Sequence, residues 1–97
     1  MSTVTVVGLG KIGLPLAVTL ATAGHYVTGA DISRRVVSEV MAGRPPFPGE
    51  PGLASRLAEV RSWDLLRATT ETTAAVTASE VVVIVVPLVI GADRRPD

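Results

Sequence analysis

Cysteine does not occur in the 97-residue sequence, and histidine occurs once, at His25. The first absence excludes disulfide bonds, thiolate zinc sites and a thiol nucleophile. The second excludes a histidine cluster for metal, and any histidine-based triad would hang on a single residue. Aromatic residues are scarce, with Tyr26, Phe47 and Trp63 the full set, too few to stack a run of bases. Nine basic and nine acidic residues cancel, so no net field draws the chain to nucleic acid or to an anionic membrane. Neither partner is expected. Long apolar runs are also missing: the longest, Val81–Ile90, is ten residues and contains Pro87, whereas a membrane helix takes about 20. Met1-Ser2-Thr3-Val4 has no basic stretch leading into an apolar one, unlike a secretory leader, so the expected location is the cytoplasm. What remains is a chain of ordinary apolar content, 47 %, no longer than one domain and better suited to binding than to nucleophilic attack.

Strand and helix signals alternate along it. Thr3–Val7 (TVTVV) is β-branched throughout and stops at Gly8, the pattern of a short buried parallel strand. Leu14–Ala23 reads as a packed helix with Leu16, Leu20 and Ala23 at helical spacing and Gly24 as its stop. Pro15 fits that helix only if it begins near Ile12 or Gly13, where a missing N–H costs nothing. His25–Asp31 is a second strand ending on an acid, and Ser33 then caps a helix through about Met41 with Val36, Val37 and Val40 on one face. Gly43–Gly52 holds four prolines and three glycines and is a stiff loop. Leu53–Val60 is an amphipathic helix with Leu53, Leu57 and Val60 aligned; Leu65–Thr69 is a third strand. Thr72–Ala78 is a short helix with Thr70 or Thr72 available as cap, and Val81–Val86 is a fourth strand ended by Pro87. The order β-α-β-α-α-β-α-β predicts an α/β fold, a Rossmann-like doubly wound parallel sheet cut short after about the fourth strand.

The first strand runs into Gly8-Leu9-Gly10-Lys11-Ile12-Gly13, and Asp31 stands eighteen residues beyond Gly13 at the end of the next strand. Alone, glycines at this spacing are weak evidence; between a strand and a helix, with an acid at that distance, each part has a physical task. Gly8 permits the tight turn, Gly10 lets a pyrophosphate approach the backbone, and Gly13 lets helix and strand lie close. The free amides and positive end of the following helix favour phosphate charge. Asp31 can accept hydrogen bonds from the adenosine ribose hydroxyls and would repel a 2′-phosphate, which selects NAD over NADP. Arg34 and Arg35 stand just past it and could draw a 2′-phosphate instead. The bland alternative makes the glycines ordinary turn residues and Asp31 a helix-start residue.

Several segments read together resemble the UDP-glucose/GDP-mannose dehydrogenase family, and within it most closely the UDP-N-acetylmannosamine dehydrogenases. They are VVGLGKIGLPLA (6–17), ADIS with its following arginines (30–35), GEPGL (49–53), LLRATT (65–70) and VVVIVVPLV (81–89). The GLGxIGLPLA and EPGL pieces are the specific ones; the rest occurs in many dinucleotide-binding proteins. The resemblance implies oxidation of a UDP-sugar primary alcohol, in UDP-N-acetylmannosamine or UDP-glucose, to the uronic acid with two NAD per product, and a homodimer or larger assembly in the full enzyme. It implies a cofactor site at Gly8, Leu9, Gly10, Lys11, Ile12, Gly13 and Asp31, with Arg35 near the ribose and Pro87 and Leu88 against the cofactor. Leu88 stands where the family carries threonine, so a hydroxyl contact is lost there. Family enzymes carry their nucleophilic cysteine and other catalytic groups in later segments, which these residues do not include. Residues 1–97 are therefore expected to be the N-terminal part of an NAD-binding Rossmann domain, without catalytic or C-terminal domains, and no residue here is assigned a catalytic or metal-binding role.

Other readings stay open at this level. A non-catalytic nucleotide-binding or interaction module from a truncated gene would expose the Val81–Val86 strand as an apolar edge. Another NAD-dependent dehydrogenase of the hydroxyacid or 6-phosphogluconate type would share the first βαβ unit, although EPGL speaks against it. His25 is expected as a part-exposed connector at the sheet end opposite the cofactor. Glu50 marks the proline-rich loop, read as a connector or as one edge of a sugar-nucleotide site.

Overall fold

Runs of β-branched residues pair first with one another, because their side chains pack well on a pleated surface and poorly in a helix. In the computed structural model, which describes residues 1–48 and 51–85, two such runs become β1 (Thr3–Val7) and β4 (Val81–Ile84), and the more mixed segments YVTGA and LRAT become β2 (Tyr26–Ala30) and β3 (Leu66–Thr69). Between them lie α1 (Gly13–Thr22), α2 (Arg34–Met41), α3 (Leu53–Ser62) and α4 (Thr72–Thr77). The four strands form one parallel sheet in the order β3-β2-β1-β4. Val4 stands opposite Val27 and Val81, and Val27 opposite Leu66. The chain thus leaves β1 on one side toward β2 and comes back on its other side as β4. That reversal opens a crevice beyond the carboxyl end of β1.

Alternation along the strands sorts the two faces. Val4, Val6, Val27 and Leu66 are buried in one cluster with Leu14, Ala17, Val18 and Ala21 of α1 and Leu53, Leu57 and Val60 of α3. Thr5 points the other way, is fully buried, and donates its hydroxyl to the Ala75 carbonyl of α4 at 3.0 Å while also bonding Ser79. Helices therefore cover both faces, as the doubly wound reading requires.

The structure corrects several local expectations. The buried side of α1 is Gly13, Leu14, Ala17, Val18 and Ala21, whereas Leu16 and Leu20 are half-buried and Ala23 is exposed. The helix is apolar almost all round, so periodicity alone could not choose its face; the small residues at 13, 17 and 21 let it lie close to the sheet and decide the matter. Pro15 is the third helical residue, where its missing N–H breaks no helical bond. Neither Thr70 nor Thr72 caps α4: Glu71 is the residue before its first turn and makes no side-chain cap bond, and Thr69 accepts the Glu71 N–H through Oγ at 3.0 Å. Ser33 does cap α2, accepting the Val36 N–H at 3.2 Å. β2 and β3 are shorter than expected, and β4 ends at Ile84, although the Val85 N–H still bonds the Val7 carbonyl at 3.0 Å.

The outer strand β3 is closed off by side chains. Arg61 of α3 donates to the carbonyls of Leu66 at 2.8 Å and Met41 at 3.1 Å, and the Ala68 N–H points at the Met41 sulfur. Arg44 hydrogen-bonds Glu39 through two nitrogens, both at 3.1 Å, which ties the start of the proline-rich loop to α2 and holds the Glu39 carboxyl below its ordinary range. Among the described residues β4 is the other edge of the sheet, with Val81 and Ile84 exposed.

Leu57 is fully buried between α3 and the sheet. Replacing it with alanine should lower the unfolding free energy by about 2–5 kcal/mol, as for other buried leucines; a denaturant titration with an unchanged midpoint would show that α3 does not belong to the core.

Candidate functional site

The crevice at the end of β1 is built by three backbone events in succession. The Gly8 N–H extends the ladder to the Ala30 carbonyl at 2.8 Å, and the chain then turns with Gly8 at φ +102, in the region where only glycine is unstrained. Leu9 next buries its side chain completely. The Leu14 N–H closes the first turn of α1 onto the Gly10 carbonyl at 3.1 Å. Because α1 starts this close to β1, a Cβ on Gly13 would collide with the Gly8 carbonyl, so no other residue fits.

No side chain caps α1. Among the described residues, the amides of Gly10, Lys11, Ile12 and Gly13 have no hydrogen-bond partner. They sit at the positive end of the helix dipole, an arrangement suited to an anion with several oxygens. A Cβ on Gly10 would have nothing within 4 Å. Packing therefore does not demand glycine at this position, and the open space is available to a ligand.

Asp31 follows directly on β2 and is half-buried. Its Oδ2 accepts the Leu9 N–H and its Oδ1 the Ser33 N–H, each at 2.9 Å. A cleft of about 430 Å³ is lined by Gly8, Leu9, Gly10, Lys11, Ile12, Gly13, Asp31 and Val85. A smaller hollow of about 170 Å³ shares Gly8 and Asp31 and adds Ile32 and Thr72. Ile12 and Ile32 are exposed, at 70 % and 90 %, so both hollows have an apolar side chain at the rim.

Seven of the residues singled out in the sequence, Gly8 to Gly13 and Asp31, thus converge on one cleft. Arg35 does not line it; it stands exposed on the first turn of α2, where its charge acts on Glu39. Pro87, Leu88 and Glu50 lie outside the described residues. His25 is at the opposite end of the sheet, half-buried, with Nδ1 accepting the Ser2 N–H at 3.1 Å. Sequence reasoning missed Val85, Ile32 and Thr72 as lining residues, and it missed Gly29, against which Leu9 packs. A glycine inside the strand YVTGA is the available signal for the last of these. Among the described residues no group of acidic, histidine or cysteine side chains could hold a metal ion, and no helix is long and apolar enough to cross a membrane.

Comparison with known proteins gives the family and the fold. The sequence profile of the UDP-glucose/GDP-mannose dehydrogenase family, NAD binding domain, matches residues 2–97. GDP-mannose 6-dehydrogenase of Azotobacter vinelandii is 40 % identical over 77 residues, 79 % of this chain and 17 % of that protein. UDP-N-acetyl-D-mannosamine dehydrogenase of Pyrococcus horikoshii is 39 % identical over 66 residues, 68 % of this chain and 16 % of that protein. The structure of a UDP-glucose dehydrogenase from the archaeon Pyrobaculum islandicum superposes with a TM-score of 0.83 at 36 % identity, over 89 % of this chain and 20 % of that one. The chain spans about a fifth of the length of the curated relatives it matches.

The two inner glycines should behave differently on substitution. Gly13→Ala should destabilise the fold by about 1–3 kcal/mol or more through the collision with Gly8, whereas Gly10→Ala should change stability by no more than about 0.5 kcal/mol. Thermal unfolding of the two variants side by side tests this; equal melting temperatures would contradict the close approach of α1 to β1.

Proposed function

The chain belongs to the UDP-glucose/GDP-mannose dehydrogenase family, within its NAD-binding domain, and from that premise we propose that it is the N-terminal portion of the cofactor domain of a nucleotide-sugar dehydrogenase that oxidises the primary alcohol of a UDP-sugar, UDP-N-acetylmannosamine or UDP-glucose, to the uronic acid. The observation that carries this reading is the pairing, across one cleft, of the unpartnered amides of Gly10 to Gly13 with the carboxylate of Asp31. A dinucleotide needs such a pair: donors for the pyrophosphate and an acceptor for the ribose hydroxyls.

NAD is the cofactor of this family domain, and when bound it supplies the hydride acceptor for alcohol oxidation. In the proposed assignment the amides of Gly10 to Gly13 hold the pyrophosphate, and the bare face of Gly10 lets it reach them. The Lys11 side chain, exposed at the cleft, adds positive charge. The two carboxylate oxygens of Asp31 each accept one backbone N–H, and a carboxylate offers about four acceptor positions. Two remain for the 2′- and 3′-hydroxyls, while a 2′-phosphate meets the negative charge at close range. The resemblance also implies Arg35 near the ribose and Pro87 and Leu88 as cofactor contacts; Arg35 stands exposed on α2, outside the lining of the cleft.

The UDP-sugar part of the proposal rests on the GLGKIGLPLA and EPGL segments and on similarity to the UDP-N-acetyl-D-mannosamine and UDP-glucose dehydrogenases. The equal similarity to a GDP-mannose 6-dehydrogenase makes a GDP-sugar its direct competitor. A titration of the protein with UDP-N-acetylmannosamine, UDP-glucose and GDP-mannose in the presence of NAD distinguishes them. The cytoplasm, where NAD and nucleotide sugars are both available, and a homodimer complete the proposal.

For the cofactor site, Asp31→Ala should weaken NAD binding by about 1–2 kcal/mol, the scale of a lost charge-assisted hydrogen bond, and should narrow the preference for NAD over NADP. Gly10→Ala should also weaken NAD binding, because its methyl group projects into open space that the pyrophosphate needs. Calorimetric titrations that give wild-type NAD affinity for both variants would remove the assignment.

A further inference from the structure

We propose that Asp31 is a positioning residue for the Gly8–Gly13 loop as well as a ribose ligand: together with a socket at Gly29, its carboxylate holds the loop in phosphate-receiving shape before any cofactor arrives. This rests on the reading of that loop as the pyrophosphate site and adds to it how the loop is kept ready.

Two independent anchors meet at Leu9. Its side chain is 0 % exposed and fills the space left by Gly29 of β2, where a Cβ would lie 2.5 and 2.6 Å from the two leucine methyl carbons. Its N–H is held by Asp31 Oδ2 at 2.9 Å. The other carboxylate oxygen holds the Ser33 N–H, also at 2.9 Å. The two donors belong to different segments, one following β1 and one following β2, so a single side chain ties both strand ends together just where the ladder stops. Loss of the carboxylate would leave the Leu9 amide in a part-buried place without an acceptor, and such groups are costly.

The donor inventory makes the point specific to an acid. Asparagine is nearly isosteric but offers one carbonyl oxygen and one NH2, so one of the two backbone donors would face another donor. Alanine would release both. It follows that cofactor preference and loop shape are carried by one side chain. A replacement at position 31 made to admit a 2′-phosphate also unties the loop, and cannot by itself convert the site to NADP.

Amide hydrogen exchange, followed residue by residue by NMR on the ligand-free 97-residue chain, tests this with wild type, Asp31→Asn and Asp31→Ala. In wild type the Leu9 and Ser33 amides should be protected although neither lies in a helix or strand, while those of Gly10 to Gly13 exchange freely. In both variants exchange at Leu9 or Ser33 should rise about tenfold or more, the scale of a lost hydrogen bond to a charged group. Val6 and Thr28 amides inside the sheet should not change, a local pattern that a general loss of stability does not produce. Should Asp31→Ala fail to fold, Asp31→Asn carries the comparison, and fast exchange at Leu9 in wild type overturns the proposal without any variant. Unchanged Leu9 and Ser33 exchange in the variants also overturns it, and leaves the NAD reading standing if wild type binds NAD. Accelerated exchange in a chain whose wild type does not bind NAD has the opposite meaning: the brace is real and the cofactor reading fails.

Discussion

The approach of α1 to the end of β1 is the constraint from which the remaining architecture follows. A helix can begin so close to a strand only where no side chain stands between them, and Gly13, with no Cβ to strike the Gly8 carbonyl, meets that condition. The same closeness continues down the helix through Ala17 and Ala21, which are fully buried against the sheet. It also aims the first amides of α1 across the carboxyl ends of β1 and β2. The contact that stabilises the core and the geometry that prepares the cleft are thus one feature, and neither can be altered alone.

Polar groups are distributed with similar economy. Within the apolar cluster there are none; Thr5 on the opposite face is the fully buried polar residue among those described, and its hydroxyl is satisfied by Ala75 and Ser79. Buried hydroxyls without partners would cost more than the burial returns. At the cleft the opposite holds. Among the described residues, amides there are left without partners, a cost tolerable only because they face an open hollow where water or an anion can reach them. An asymmetry of this kind, satisfied inside and unsatisfied at one rim, marks where a ligand belongs.

Much of the fold was legible because strands and punctuation coincide in this chain. TVTVV, VVVI and the glycines that end the first strand and first helix left little ambiguity, and the order of elements followed from them. Element ends were less legible. β3 and β4 stop where their partners stop, which depends on neighbours distant in sequence. The buried face of α1 was misjudged because GLPLAVTLAT is apolar almost all round, and the cap of α4 because the threonine pairs on either side of Glu71 compete for one position. Gly8, Gly10, Gly13 and Asp31 were legible as a site since each sits at a fixed spacing from a strand end. Val85 at the cleft and Thr72 at the smaller hollow were not, for they come from segments that only the sheet order brings beside the end of β1.

The glycine spacing and the strand-end acid named the ligand class from the sequence alone. Composition and spacing act through the local backbone, and a tight turn, a helix start and a strand-end acid are local properties. What tertiary structure decided was the use of those parts. Gly10 is free of packing demands while Gly13 is not, Leu9 is a buried anchor and not a loop residue open to solvent, and Asp31 serves two strand ends at once. The first depends on how closely α1 turns back on β1; the other two depend on distances between segments about twenty residues apart, set by the register of β1 against β2, and no local propensity encodes such distances.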